Sequence, residues 1–196
     1  MPTFRFFFYS RAHHIDLQNI MTKDKTSIGV VLPTVLITGA SRGIGASIAI
    51  NLAESQQYKL ALLARKESSL ERTIDACRLK NPLVQIMTFG LDITDKASLQ
   101  ACITTVATEF GPYAVLINNA GIVYPSKADT RMEIDSVSKL IDINLTSVIH
   151  ACSLSVPHLK TTKNFFPEMN VAIIQISSRA ATFRATGAGE GKLERR

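Results

Sequence analysis

The stretch Val35-Leu36-Ile37-Thr38-Gly39-Ala40-Ser41-Arg42-Gly43-Ile44-Gly45 constrains this chain more than any other. Four residues of strand composition, Val35 to Thr38, run into glycines at 39, 43 and 45, and an amphipathic helical pattern follows to about Gln56. A strand, a tight turn and a helix in that order predict a phosphate-binding corner. One glycine makes the turn, one lets backbone approach a pyrophosphate, and one lets the helix pack closely on the strand. The N–H groups and positive dipole end at the start of the helix then hold an anion. The spacing is G-x-x-x-G-x-G; the commoner G-x-G-x-x-G would place its third glycine on Ile48.

Downstream, hydrophobic patterns of two kinds alternate. Ile44, Ile48 and Leu52 recur at helical spacing, Lys59 to Ala64 reads as a second strand, Leu70, Ile74 and Cys77 mark a helix, and Val84 to Phe89 a third strand. Leu99, Cys102, Ile103, Val106 and Phe110 form another helical stripe, stopped by Gly111-Pro112, and Ala114 to Ile117 is a fourth strand. Ile134 to Lys160 is helical but too long for one helix, so two helices are expected to meet near Asn144. A polar loop, Thr161 to Asn170, and a fifth strand, Val171 to Ser177, follow, with no strand-like run after Ser178. Strands alternating with helices predict an α/β fold, a doubly wound parallel sheet of Rossmann type covered by helices on both faces.

The chain is long enough, at 196 residues and 46% hydrophobic, for one domain with a sizeable core. Cys77, Cys102 and Cys152 are widely spaced and odd in number, which predicts neither a zinc site nor a disulfide framework and fits a reducing, cytoplasmic compartment. The net charge of +6 lies at the ends: four basic and two acidic residues in 1–34, five and two in 179–196, and thirteen against twelve between them. A nearly neutral body argues against nucleic acid as a partner. The apolar run Phe4 to Tyr9 is too short for a signal-peptide core or a membrane span. Residues 1–32 are therefore expected to be a flexible extension, with Met21 a second candidate for the start of translation.

Thr38 to Gly45 resembles the cofactor fingerprint of the short-chain dehydrogenase/reductases of the classical type, and Asn118-Asn119-Ala120-Gly121 resembles that family's second fingerprint. The resemblance runs from Pro33 to Gly189. It divides the chain into the extension 1–32, a partial dinucleotide-binding domain 33–189 and an atypical charged tail 190–196. Tyr58 to Arg65 is faintly similar to the sepiapterin and benzil reductase branch. The family implies hydride transfer between a nicotinamide cofactor and a small carbonyl or alcohol, with no membrane partner.

A dinucleotide fold usually places an acid about twenty residues past the glycine turn to accept hydrogen bonds from the adenosine ribose. Here that count reaches Arg65. A guanidinium cannot accept those bonds, but its planar fork suits a phosphate, and Arg42 stands inside the turn itself. For Arg65 alone a solvated surface arginine is the alternative; two arginines converging on the ribose predict NADP over NAD, and the family implies the same. The resemblance also puts Gly39, Ser41, Gly43, Ile44 and Gly45 at the cofactor, with Asp92 and Ile93 at the adenine. Asp92 is alternatively the N-cap of a helix beginning near Thr94. Asn118 and Asn119 either tie strands together or leave Ala120 and Gly121 to approach the nicotinamide ribose, or both.

In the resembling family a Tyr donates the proton, a Lys tunes it, a Ser stabilises the carbonyl oxygen and an Asn takes part in a proton relay. The resemblance makes Ser178 that Ser, with Ser177 as a strand-end alternative, and Asn144 that Asn. The family spacing puts the Tyr and Lys at 191 and 195, where this chain has Gly191 and Arg195, and no tyrosine follows Tyr124. His150 and His158 have no sequence neighbour to recommend them as substitute acids. Two outcomes are open: an NADP-dependent oxidoreductase by family, or a C-terminally truncated cofactor-binding module without the Tyr-Lys pair. Truncation would leave the fifth strand as an exposed edge, expected to pair with other chains as a homo-oligomer.

Overall fold

The computed structural model describes residues 31–123 and 134–178, together with three short strands outside those spans. At its centre is β2 (Thr34–Thr38), all five residues buried. A strand covered on both faces needs an apolar run, which Val35-Leu36-Ile37 supplies, and the buried hydroxyls of Thr34 and Thr38 at its ends donate to the Phe110 and Ile117 carbonyls. β3 (Lys59–Ala64) and β5 (Tyr113–Asn118) flank it in parallel, with Leu36 opposite Ala61 on one side and Leu116 on the other. β4 (Ile86–Gly90) lies outside β3, and β6 (Ala172–Gln175) outside β5. These five strands form the predicted parallel sheet, and their linear order, β6-β5-β2-β3-β4, reverses direction at β2.

Successive residues along the strands feed two separate cores. Val35, Ile37, Leu60 and Leu62 pack with Leu52 and Ala53 of α1 (Gly43–Ser55) and Cys77 of α2 (Glu71–Lys80). Leu36, Leu63 and Leu116 pack with Leu99 and Ile103 of α3 (Lys96–Glu109) and with Ala151 and Leu159 of α5 (Ser147–Phe165). Helices therefore cover both faces. Burial pushes the Cys77 thiol up to about 11 and the Cys102 thiol up to about 12, so both stay protonated core residues.

The two helices expected to meet near Asn144 are α4 (Ile134–Ile141) and α5, joined by a π-helical turn, Asp142–Thr146, with Asn144 at its middle. The span Ile134–Phe165 is long and apolar enough to cross a membrane by length and composition. In the fold α5 buries Ser147, Ala151, Ser155, Leu159 and Thr162 along one side, while Ile134, Ile141, Leu145, Ile149 and Phe165 of the span are exposed.

Three expectations need correction. The polar loop from Thr161 begins later, because α5 continues to Phe165: Thr162 is buried, and its hydroxyl donates to the Tyr113 carbonyl at 2.8 Å. After Ser178, β7 (Arg184–Ala185) and β8 (Leu193–Glu194) pair antiparallel where no strand was expected. Within the extension 1–32, β1 (Phe6–Phe8) runs as a parallel strand on the outer side of β6, the edge expected to be open. The rest of that extension up to residue 30 lies outside the described residues.

Candidate functional site

The carboxyl ends of β2, β3 and β5 meet at a cavity of about 380 Å³. Its floor is the turn after β2. Gly39 has φ +67°, and a Cβ there would lie 2.8 Å from the Ala120 Cα. Gly45 sits where α1 crosses the strand ends, and a Cβ there would come within 2.5 Å of both Asn119 Nδ2 and the Gly39 carbonyl. These two positions have no room for a side chain. Gly43 is different: its φ of +59° favours glycine, but a Cβ there would meet nothing within 4 Å, leaving open space beside the backbone at the cavity wall.

Thr38 ties the turn to β5. Its hydroxyl donates to the Ile117 carbonyl at 3.4 Å and accepts from the Asn119 and Ala120 amides at 3.0 Å each. The Asn119 side chain returns the link, donating to the carbonyls of Thr38 at 3.0 Å and Gly39 at 3.1 Å. The Ala40 amide donates to the Leu63 carbonyl, and the Thr73 hydroxyl to the Ala40 carbonyl, each at 3.0 Å. Three strands and α2 thus hold the turn rigid before any ligand arrives, which lowers the ordering cost of binding.

The amino end of α1 faces this cavity with its donors unspent. Arg42 stands at the N-cap position in extended backbone, no side chain caps the helix, and its first turn holds no acid. The first N–H groups of a helix have no partner within it, and here Gly43 and Ile44 line the cavity. Contrast α3, whose amino end is capped by Asp95: the carboxylate accepts from Ala97 N at 3.1 Å, Ser98 N at 3.2 Å and Ser98 Oγ at 2.7 Å. That corrects the alternative reading of Asp92 as the cap. Asp92 instead accepts from the Thr94 amide at 2.9 Å and the Thr94 hydroxyl at 2.8 Å on the cavity wall. Those two bonds hold its carboxyl below the usual carboxylate range, with the charges of Arg65 and Lys139 adding to the effect.

Arg42 and Arg65 both reach the cavity, both are exposed, and neither forms an ion pair among the described residues. Ser41, Ile93 and Gly121 also line it. Four sequence-predicted residues do not. Gly45 lies behind the turn. Asn118 is buried and donates to Cys152 Sγ at 3.5 Å, a sulfur that also accepts from Gln175 Nε2 at 3.1 Å, so Asn118 ties β5 to α5. Asn144 bonds the backbone of Ile122 in both directions at 2.8 Å, as acceptor from N–H and as donor to C=O. Ser178 is exposed just past β6. Sequence reasoning overlooked the apolar lining of Leu63, Ala64, Leu91, Ile122 and Ile143. For Leu63, Ala64 and Leu91 a position at or just past a strand end was the available signal. No cluster of side chains suited to a metal occurs among the described residues.

A family model described as short chain dehydrogenase matches residues 33–189. This chain belongs to the short-chain dehydrogenase/reductase family. It is 33% identical over 141 residues to an NADP-dependent 3-hydroxy acid dehydrogenase of Schizosaccharomyces pombe, covering 72% of this chain and 54% of that protein. It is 33% identical over 146 residues to a 3-oxoacyl-[acyl-carrier-protein] reductase of Staphylococcus aureus, covering 74% and 55%. Among solved structures, a metagenomic short-chain oxidoreductase in complex with NADP superposes with a TM-score of 0.65 at 27% identity, covering 74% of this chain and 62% of that one. The chain spans about half the length of the curated relatives it matches. These relatives do not narrow the family to the sepiapterin or benzil reductase branch.

In short-chain dehydrogenase/reductase terms, the cavity is lined by Gly39, Ser41, Arg42, Gly43 and Ile44 of the first fingerprint and by Asn119, Ala120 and Gly121 of the second. Gly191 and Arg195, the positions where the family spacing predicts a Tyr and a Lys, lie outside the described residues.

Proposed function

We propose that this chain is the NADP(H)-binding domain of a short-chain oxidoreductase acting between small carbonyls and alcohols. One observation carries the reading: an uncapped helix amino end and an open-faced Gly43 form one wall of a cavity that also presents Arg42 and Arg65. The cavity falls within the usual range for small-molecule sites. Gly43, Ile44 and the start of α1 would hold the pyrophosphate by backbone donors and dipole. Arg42 and Arg65 would hold the 2′-phosphate, and Asp92 and Ile93 the adenine side. Thr38 and Asn119 orient that wall, while Ile122 and Ile143 exclude water at its far end. Bound NADP(H) supplies or accepts the hydride. The free thiols support a cytoplasmic setting, and the exposed Ile141, Leu145 and Ile149, spaced four apart, support self-association.

A second reading is favoured by Gly191 and Arg195: a module that binds the cofactor without turning it over. Both readings share the cofactor site, so fluorescence titration of the purified chain with NADPH and NADH tests their common ground. NADPH is expected to bind at least about tenfold tighter, because each charge-assisted bond to the phosphate is among the stronger hydrogen bonds. Arg65→Ala should shrink that ratio. Equal affinities, or a ratio untouched by Arg65→Ala and Arg42→Ala, would refute the assignment.

A further inference from the structure

We infer that the outer edge of β6 is a strand-docking surface, and that its occupant is the chain's own amino-terminal strand, β1, held as a detachable seal. β1 lies outside the residues that the family model matches, which begin at 33. It nevertheless takes a defined place: parallel to β6, with Phe6 opposite Ile173, Phe7 opposite Ile174 and Phe8 opposite Gln175.

The backbone geometry says which groups it satisfies. In a parallel ladder successive residues turn their N–H and C=O to opposite neighbours. The Ile176 amide donates to the Asn118 carbonyl of β5 at 2.9 Å, so Ile174 also faces β5, and Ile173 and Gln175 turn outward. Without β1 those two residues would have no partner on that side among the described residues, and an unpaired edge of a β-branched strand is a template for another chain. Phe7, opposite Ile174, is the residue that turns its own N–H and C=O toward them.

The connection permits attachment within one chain. β1 and β2 are three strand spacings apart in the sheet, about 14 Å. The segment between Phe8 and Thr34, about 25 residues, can span several times that distance plus the return along a strand. A tether of this length keeps the strand at an effective concentration near the millimolar range. Three residue pairs make a short ladder compared with the five that join β2 to β3, so the seal is the weakest-held strand of the sheet.

The test is amide exchange by NMR on three proteins: the full chain, Phe7→Pro, and a chain begun at Met21. Proline removes the Phe7 donor from the ladder. In the full chain the Ile173 and Gln175 amides should be protected. In both altered proteins they should exchange at least about tenfold faster while Ile174 and the β2 amides stay protected. A synthetic peptide of residues 1–12 added to the Met21 chain should restore protection at Ile173 and Gln175, and a scrambled peptide should not. Unchanged exchange in the altered proteins, or a peptide without effect, would overturn the inference. So would loss of protection across the whole sheet in both, since β1 would then be part of the folding core and not a seal.

Discussion

At single residues the site is decided by contacts too small for a methyl group. Gly45→Ala would drive a Cβ into Asn119 Nδ2 and the Gly39 carbonyl, which other bonds hold in place. We predict that it lowers the melting temperature markedly and abolishes NADPH binding. Gly43→Ala meets no atom and suffers only from its positive φ, which costs about 1 kcal/mol. Its melting point should fall less, while its new methyl occupies the wall where the cofactor's phosphates are placed. Thermal melts with and without NADPH separate the two; similar losses for both would contradict the contrast. The glycine pattern was readable in the sequence because spacing encodes the turn, but which glycine is crowded and which is open depends on Asn119, some 75 residues away. The carboxylates give a second prediction. Asp92 and Asp95 are both held below their ordinary values by hydrogen bonds, so their stabilising contribution is full above the unfolded carboxylate pKa of about 4 and fades as pH falls through the folded values. Melting temperature should drop on acidification below about pH 4, and the double variant Asp92→Asn, Asp95→Asn should flatten that drop.

Elements are held in place by polar side chains at their ends. Asn144 illustrates this: the π turn adds one residue to the helical path, the Ser147 amide reaching back to the Asp142 carbonyl, and the Asn144 amide then clasps both backbone groups of Ile122. Asn144→Ala should free the segment after β5, speeding amide exchange at Ile122 and weakening NADPH binding several-fold, with the β2 amides unaffected. An unchanged Ile122 amide would show that the clasp is dispensable. The meeting of two helices near Asn144 was legible because the apolar run is too long for one helix. The end of α5 was not, since Thr161, Thr162 and Lys163 read as a loop until Thr162 is seen bonding the Tyr113 carbonyl beneath it. Nor was the α3 cap: Asp92, Thr94 and Asp95 all suit that position, and only the path of the chain selects Asp95. Three aromatic residues near the amino end carry no period that marks a strand, and their place beside β6 is set by the edge they meet.

Across the whole molecule, the five-strand sheet was legible because fully buried parallel strands leave unbroken apolar runs, whereas the chemistry depends on positions the sheet does not supply. In a helix, residues four apart bring their Cβ atoms to about 5–6 Å, close enough for one side chain to tune another. Here Leu193–Glu194, which fall between sequence positions 191 and 195, run as strand β8 and not as a helical turn. An arginine stays protonated at neutral pH, so that side chain at 195 offers a fixed positive charge and no general acid. The chain is therefore expected to bind NADPH and yet reduce carbonyl substrates at a negligible rate, since general acid catalysis alone is typically worth about 10²- to 10⁴-fold. The double variant Gly191→Tyr, Arg195→Lys should not restore activity, because Leu193–Glu194 between them are strand backbone and not the helical turn that brings such a pair together. NADPH oxidation followed against a panel of diketones and aldehydes decides the matter. Robust turnover by the unaltered chain, abolished by Ser178→Ala, would show that the proton comes from a group other than the two missing ones and that Ser178 acts on the carbonyl without them.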